Sequence, residues 1–178
     1  MRINSFVKRF QKNLKISNNY KMINFKSAFL FLSFSVLLVS CNKGLSPEEQ
    51  LEEDVRIIKE YIALNNLEAE ETESGLHYII EKEGTGNYPS ANDNVRVRYK
   101  GYLTDQTVFD QSDEEGIAFN LQGVIEGWTE GIPLFKEGGE GVLLIPSALG
   151  YGENGSGSGA IEPNTVLIFD VELLEIVE

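Results

Sequence analysis

The sequence predicts an α+β fold: an antiparallel β-sheet with one short internal helix. Three observations carry this. Residues Asn94 to Leu103 alternate, with Val95, Val97, Tyr99 and Gly101 on one face and Arg96, Arg98 and Lys100 on the other. A period of two with one charged face marks a half-buried antiparallel strand. The run Val166 to Ile176 repeats the pattern and puts Leu167, Phe169, Val171 and Leu173 on one side. The only helix signal between these runs is Ile125 to Leu134, broken by Pro133, so the strand–helix–strand alternation of a parallel sheet is missing.

The chain has 178 residues, room for one domain with a leader and a tether. Residues 1–40 carry seven basic side chains and no acidic one. From Ala28 to Val39 runs the apolar stretch AFLFLSFSVLLV, preceded by Lys21 and Lys26. It is too short to span a bilayer comfortably and has the length of a signal-peptide core. It ends at Leu38-Val39-Ser40-Cys41, which resembles the bacterial lipoprotein box. That resemblance implies cleavage before Cys41 and lipid on its sulfur, each buried methylene holding the chain by about 0.8 kcal/mol. The alternative is a free cysteine behind an uncleaved anchor, and Met22 is a second candidate start. Residues 1–40 are therefore read as a lipoprotein-type signal peptide, 41–73 as a tether with a linker helix, and 74–178 as the folded domain.

In the tether, Ser46-Pro47-Glu48-Glu49 supplies an N-cap, a proline at the first helical position and the acid of a capping box. Leu51, Val55, Ile58 and Ile62 follow at spacings of four, three and four, a narrow apolar stripe on an acidic helix. The pattern fades at Asn65-Asn66. Such a stripe packs on its own domain or pairs with a second copy, and packing in cis is the favoured reading. The run Glu68 to Ser74 is polar and reads as a solvated connector.

Within the domain, Leu76 to Ile80 is a β-rich run ending at the Gly84-Thr85-Gly86 turn, with His77 placed at the surface by default. Thr104-Asp105-Gln106 turns the alternating strand toward Val108-Phe109-Asp110, and Gly141 to Ile145 is a further strand.

Composition excludes several chemistries. One cysteine and one histidine cannot build an internal disulfide or a Cys/His zinc cluster, and place neither Ser-His-Asp nor Cys-His catalysis well. No metal site is expected. Beyond residue 40, 8 bases face 28 acids, a formal charge of −20 that repels phosphate backbones and argues against nucleic-acid binding. Gly155, Gly157 and Ala160 superficially match a dinucleotide fingerprint, but no strand–turn–helix unit surrounds them.

Read together, Tyr99-Lys100-Gly101, Val108-Phe109-Asp110, Val124-Ile125-Glu126-Gly127-Trp128, Gly138-Gly139, Ile145-Pro146, Tyr151-Gly152 and Leu167 to Leu173 form an ordered series. It resembles the FK506-binding-type peptidyl-prolyl cis–trans isomerases over about residues 74–178. The resemblance implies a curved antiparallel sheet wrapped around the short helix. It also implies a prolyl pocket lined by Tyr99, Phe109, Val124, Ile125, Trp128 and Phe169, with the Trp128 indole as floor. Tyr151 would donate its hydroxyl to a substrate carbonyl, Asp110 would set a carboxylate at the rim, and Ile161 would form an apolar lip. Tyr99, Phe109, Asp110, Trp128, Tyr151 and Phe169 are the expected catalytic set; Val124, Ile125 and Ile161 are expected to bind substrate.

The implied reaction suits such a chain, because rotation about an X–Pro amide requires no nucleophile, metal, cofactor or proton transfer. The partners implied are proline-containing polypeptides of the bacterial envelope, macrolide inhibitors for the same cleft, and a membrane through lipid on Cys41, at the outer membrane on its periplasmic side or surface. Two rivals share the fold: a non-catalytic peptide-binding or chaperone module, and a motility-assembly component. Two departures from the small drug-binding members bear on preference. Asp113-Glu114-Glu115 stands where those members carry a basic residue near the pocket aspartate, and the loop Glu153 to Gly159 is slightly longer and richer in Gly and Ser.

Overall fold

The structure, a computed structural model, describes residues 44–177. The leader, the alternative start Met22 and Cys41 lie outside the described residues. Among the described residues, two α-helices and seven strands follow in the order α1 (Pro47–Asn65), β1 (Glu70–Glu71), β2 (His77–Lys82), β3 (Asn94–Tyr102), β4 (Val108–Gln111), β5 (Ile117–Asn120), α2 (Glu126–Gly131), β6 (Glu140–Ile145) and β7 (Leu167–Val177). Among the described residues, no helix is long and apolar enough to cross a membrane.

The strands form one antiparallel sheet in the order β1-β2-β6-β7-β3-β4, with β5 also paired to β3. The alternating run forms its spine. β3 pairs with β7 from Asn94↔Val177 to Tyr102↔Ile168, with a bulge between Arg96 and Val97. Alternation then sorts the side chains onto two faces. Val95, Val97, Tyr99, Leu143, Ile145, Leu167, Phe169, Val171 and Leu173 share the main core with Trp128 and Ile132 of the α2 segment. Tyr102, Val142, Leu144, Val166 and Ile168 form a second core on the other face.

On the first face lies α2, six residues capped by Ile125 and continued by a 3-10 turn, Ile132–Leu134, where Pro133 stops the α pattern. Its closeness to the sheet depends on two glycines a turn apart. A Cβ at Gly127 would meet Ile145 Cγ2 at 2.5 Å, and one at Gly131 would meet Leu143 Cδ2 at 2.7 Å. A side chain there would force Ile145 or Leu143 to repack or the helix to move away from β6.

On the second face lies α1. Its capping box is complete: Glu49 N–H donates to Ser46 Oγ at 3.2 Å, and Ser46 N–H donates to Glu49 Oε2 at 2.8 Å. It ends where the stripe fades, at Asn66 in the left-handed conformation. Ile58 is fully buried in the second core, with Ile57, Tyr61 and Ile62 beside it. The helix therefore packs in cis, and burying Ile58 alone is worth about 1.5–3 kcal/mol. The charged back of β3 is thus wet over only part of its length. Arg96 pairs with Glu175 and Arg98 with Glu172, whereas Tyr102 is covered.

Two local expectations are corrected. His77 is not a surface residue; it is 3% exposed, with Nδ1 2.9 Å from the Gly75 carbonyl oxygen. The reason lies in the stretch read as a solvated connector. Glu70 and Glu71 form β1 against β2, Glu71 standing opposite His77, and Glu71 also takes Lys59 of α1 at 2.9 Å. The connector is further fixed by the Ser74 hydroxyl, 2.8 Å from Glu130 of α2.

Candidate functional site

The site is built where β3, β4, β7 and α2 converge. Because β3 and β7 are antiparallel neighbours, Tyr99 and Phe169 point to the same face two residues apart in register, with Gly101 directly opposite Phe169. A Cβ at Gly101 would meet Phe109 Cε2 at 2.7 Å and Phe169 Cε1 at 2.8 Å. Only the missing side chain lets the two rings close over the strand.

Trp128 from α2 stands against them. Its ring is edge-on to Tyr99 (centroids 5.0 Å, 90°) and to Phe169 (5.4 Å, 77°), and Phe169 is edge-on to Phe109 (5.5 Å, 87°). These T-shaped pairs set positive ring edges against negative faces and fix ring orientation beyond what area burial does. The result is a box of aromatic rings with defined faces. Trp128 is 4% exposed, and its indole N–H is buried without a hydrogen-bond partner.

Phe109, Val124 and Ile125 are half-buried around it, Ile161 is buried, and Asp110 and Tyr151 are exposed. Exposure thus rises from Trp128 to Asp110 and Tyr151, while Ile161 is as buried as Trp128.

The rim carries the polar groups. Tyr99 donates its hydroxyl to Asp110 Oδ2 at 2.7 Å, while Asp110 Oδ1 accepts the Gln111 N–H at 2.9 Å. The Asp110 carboxylate thus has a phenol as its partner, and among the described residues it takes part in no ion pair. Burial first, then the bond to Asp110 and the charges of Asp110 and Tyr151, push the Tyr99 phenol well above its ordinary range. It stays a donor. The backbone around it is pinned as well, for Tyr99 N–H donates to Ser112 Oγ and Ser112 N–H donates to the Tyr99 carbonyl, each at 3.0 Å.

Of the nine residues expected at the site, eight gather around the box through ring contacts, the main core or the Tyr99–Asp110 bond. Tyr151 joins it through its charge, which acts on Tyr99, and is 42% exposed at the end of the turn after β6. The Gly/Ser-rich loop beyond it is closed by its own bonds, with Ser156 N–H to the Ile161 carbonyl at 2.9 Å and Ile161 N–H to Ser156 Oγ at 3.0 Å. These bonds fix Ile161, which is 4% exposed in the main core.

One wall was not foreseen. Phe119 on β5 stands edge-on to Trp128 at 5.4 Å and packs near Tyr99 at 6.0 Å. Its strand has four residues, too few to show alternation.

The sequence profile of the FKBP-type peptidyl-prolyl cis–trans isomerases matches residues 86–174. The FKBP-type isomerase FkpA of Aeromonas hydrophila is 50% identical over 122 residues, 66% of this chain and 45% of that protein. Among solved structures, a peptidyl-prolyl isomerase of Pseudomonas syringae pv. tomato superposes with a TM-score of 0.65 at 33% identity, covering 77% of this chain and all of the other. FkpA of Escherichia coli superposes with a TM-score of 0.62 at 36% identity, covering 72% of this chain and 63% of that one. The chain spans less than half the length of the Aeromonas relative. It belongs to the FKBP-type peptidyl-prolyl cis–trans isomerase family.

Proposed function

We propose that the protein is a peptidyl-prolyl cis–trans isomerase that turns X–Pro bonds of exported and envelope polypeptides while tethered to the membrane by lipid on Cys41. The observation that carries this is the edge-on aromatic box around Trp128 with a phenol-anchored carboxylate at its rim.

The chemistry follows from the amide. Rotation about X–Pro meets a barrier of about 18–20 kcal/mol, because resonance places negative charge on oxygen and positive charge on nitrogen. Twisting abolishes that charge separation. A dry aromatic recess solvates the planar, polar amide poorly and the twisted, less polar one better, so it favours the transition state over the ground state. A difference of about 4 kcal/mol already gives roughly a thousandfold acceleration.

In this reading the pyrrolidine ring lies on the Trp128 indole between Tyr99, Phe109 and Phe169. Val124, Ile125 and Ile161 bound the entrance. The exposed Tyr151 hydroxyl takes the carbonyl of the residue before proline and fixes its approach. Asp110 orients Tyr99 and gives the rim a negative charge. With Asp113, Glu114 and Glu115 nearby in sequence, that charge steers basic clients in and acidic ones away.

The test is cis-to-trans conversion of short X–Pro peptides by the purified protein, with Trp128→Ala and Tyr151→Phe alongside and a macrolide competitor added. Faster conversion than the blank, lost in Trp128→Ala and blocked by the macrolide, supports the enzyme. Wild-type protein that matches the blank yet holds the peptides would leave a binding module in its place. For the anchor, Cys41→Ala should move the protein from the membrane to the soluble envelope fraction; retention in the membrane would remove Cys41 from the proposal.

A further inference from the structure

The hydroxyl assigned to the substrate carbonyl sits at the end of a turn that the linker helix holds from the far side. After β6 the chain passes through Pro146 into a 3-10 turn, Ser147–Leu149, and reaches Tyr151 two residues later. The first N–H groups of any helical turn have no acceptor within it. Here the residue before the turn is Pro146, whose side chain cannot cap. Ser147 is 1% exposed, so water cannot serve its N–H either.

The missing acceptor comes from α1. Asp54 Oδ2 accepts the Ser147 N–H at 2.7 Å across 93 residues of sequence, and Asp54 Oδ1 accepts Gln50 Nε2 at 2.8 Å. Asp54 is fully buried, and among the described residues it takes part in no ion pair. Leu51 and Val55 of the same helix bring it there: a Cβ on Gly75 would meet both at 3.0 Å and Pro146 Cγ at 3.6 Å, so the four residues lie together.

A buried carboxylate without a cation is a poor way to dock a helix, since an apolar side chain of the same size would dock it better. Ile58, one turn on, does that work. What the acid adds is one directed acceptor at the root of the Tyr151 turn.

We infer that Asp54 is a positioning residue for the isomerase site: α1, which lies outside residues 86–174, caps the Ser147 turn and thereby sets where the Tyr151 hydroxyl stands. The inference rests on the role given to Tyr151 above.

The test is a double-mutant cycle in the full protein with a structural readout beside it. Asp54→Ala should lower kcat/KM on X–Pro peptides by roughly tenfold, mostly through kcat, as misplacing an orienting group does. In a Tyr151→Phe background the same change should cost less than about twofold, because what it misplaces is already gone. Asp54→Asn keeps an oxygen for the Ser147 N–H and should recover most of the loss. An equal loss in both backgrounds, or no loss, overturns the proposal.

Should Asp54→Ala not fold, Asp54→Leu fills the space without the acceptor and takes its place in the cycle. Amide exchange decides independently of activity. Exchange from Ser147 to Tyr151 should quicken in the Ala or Leu variant while β6 and β7 stay protected; an unchanged Ser147 amide overturns the coupling. If wild-type protein lacks isomerase activity, the functional reading fails, and exchange still shows whether Asp54 holds the turn.

Discussion

The two faces of the sheet carry cores of different size and make-up, the α2 face the larger. The α1 face is aliphatic, and its aromatic residues satisfy their polar ends: Tyr102 donates to Asp170 at 2.8 Å, and Tyr61 accepts from Gln106 at 2.8 Å. The α2 face is a ring-lined box in which an indole N–H stays buried with no partner. Buried polar groups are normally paired, and unpaired ones carry a cost. Among the described residues the other such atom is Ser147 Oγ, at the turn that α1 holds, so the faces differ in their rings and not in how completely their polar atoms are paired.

Paired truncations should separate the two faces, and Trp128→Ala should have the largest effect. It should remove roughly 3–5 kcal/mol of stability and, below its melting temperature, nearly all isomerase activity. Ile58→Ala on the opposite face should cost roughly 2–4 kcal/mol in urea unfolding yet leave kcat/KM within about twofold. If Ile58→Ala erased activity as fully as Trp128→Ala, the division between the faces would collapse.

Tyr99→Phe should have a smaller effect. It leaves the ring contacts and removes one charge-assisted bond, so kcat/KM should fall about five- to tenfold, near 1–1.5 kcal/mol, with little change in unfolding.

An effect on stability alone should appear in alkali. Tyr102 is raised well above its usual range by burial first and then by Asp170, and Tyr99 is raised by burial and Asp110. Both phenols stay protonated in the fold at a pH where unfolded tyrosine, with a pKa of about 10, has begun to ionise. Stability is therefore intact below about pH 10 and declines above it, by at most about 1.4 kcal/mol per pH unit for each phenol. Urea midpoints at pH 9 and 11 should show the decline, and Tyr102→Phe should roughly halve it.

Much of this was legible in the sequence because it is periodic or local. The alternation of Asn94 to Leu103, the capping box at Ser46 and the Pro133 stop each repeat or close within a few residues. The site residues were legible as an ordered series, although any one of those aromatics alone reads as core. What escaped depends on partners distant in sequence. Asp54 looks like one more acid on an acidic helix until Ser147 arrives 93 residues later. His77 is buried by a two-residue strand that hydropathy cannot register, and Phe119 lies on a strand of four.

The outermost strands have a consequence for how the protein keeps company with unfolded chains. A folding helper meets extended segments looking for a strand to join, and a long, flat, apolar border would recruit them permanently. Here one border ends in Glu70-Glu71, and the length of β2 beyond it runs out through Glu81-Lys82. The other border is split into two strands of four, separated by a turn containing Asp113, Glu114 and Glu115. Neither side offers a visitor a continuous ladder. On the proposed function, a client would be gripped at its proline and then let go, without being stitched into the fabric that holds it.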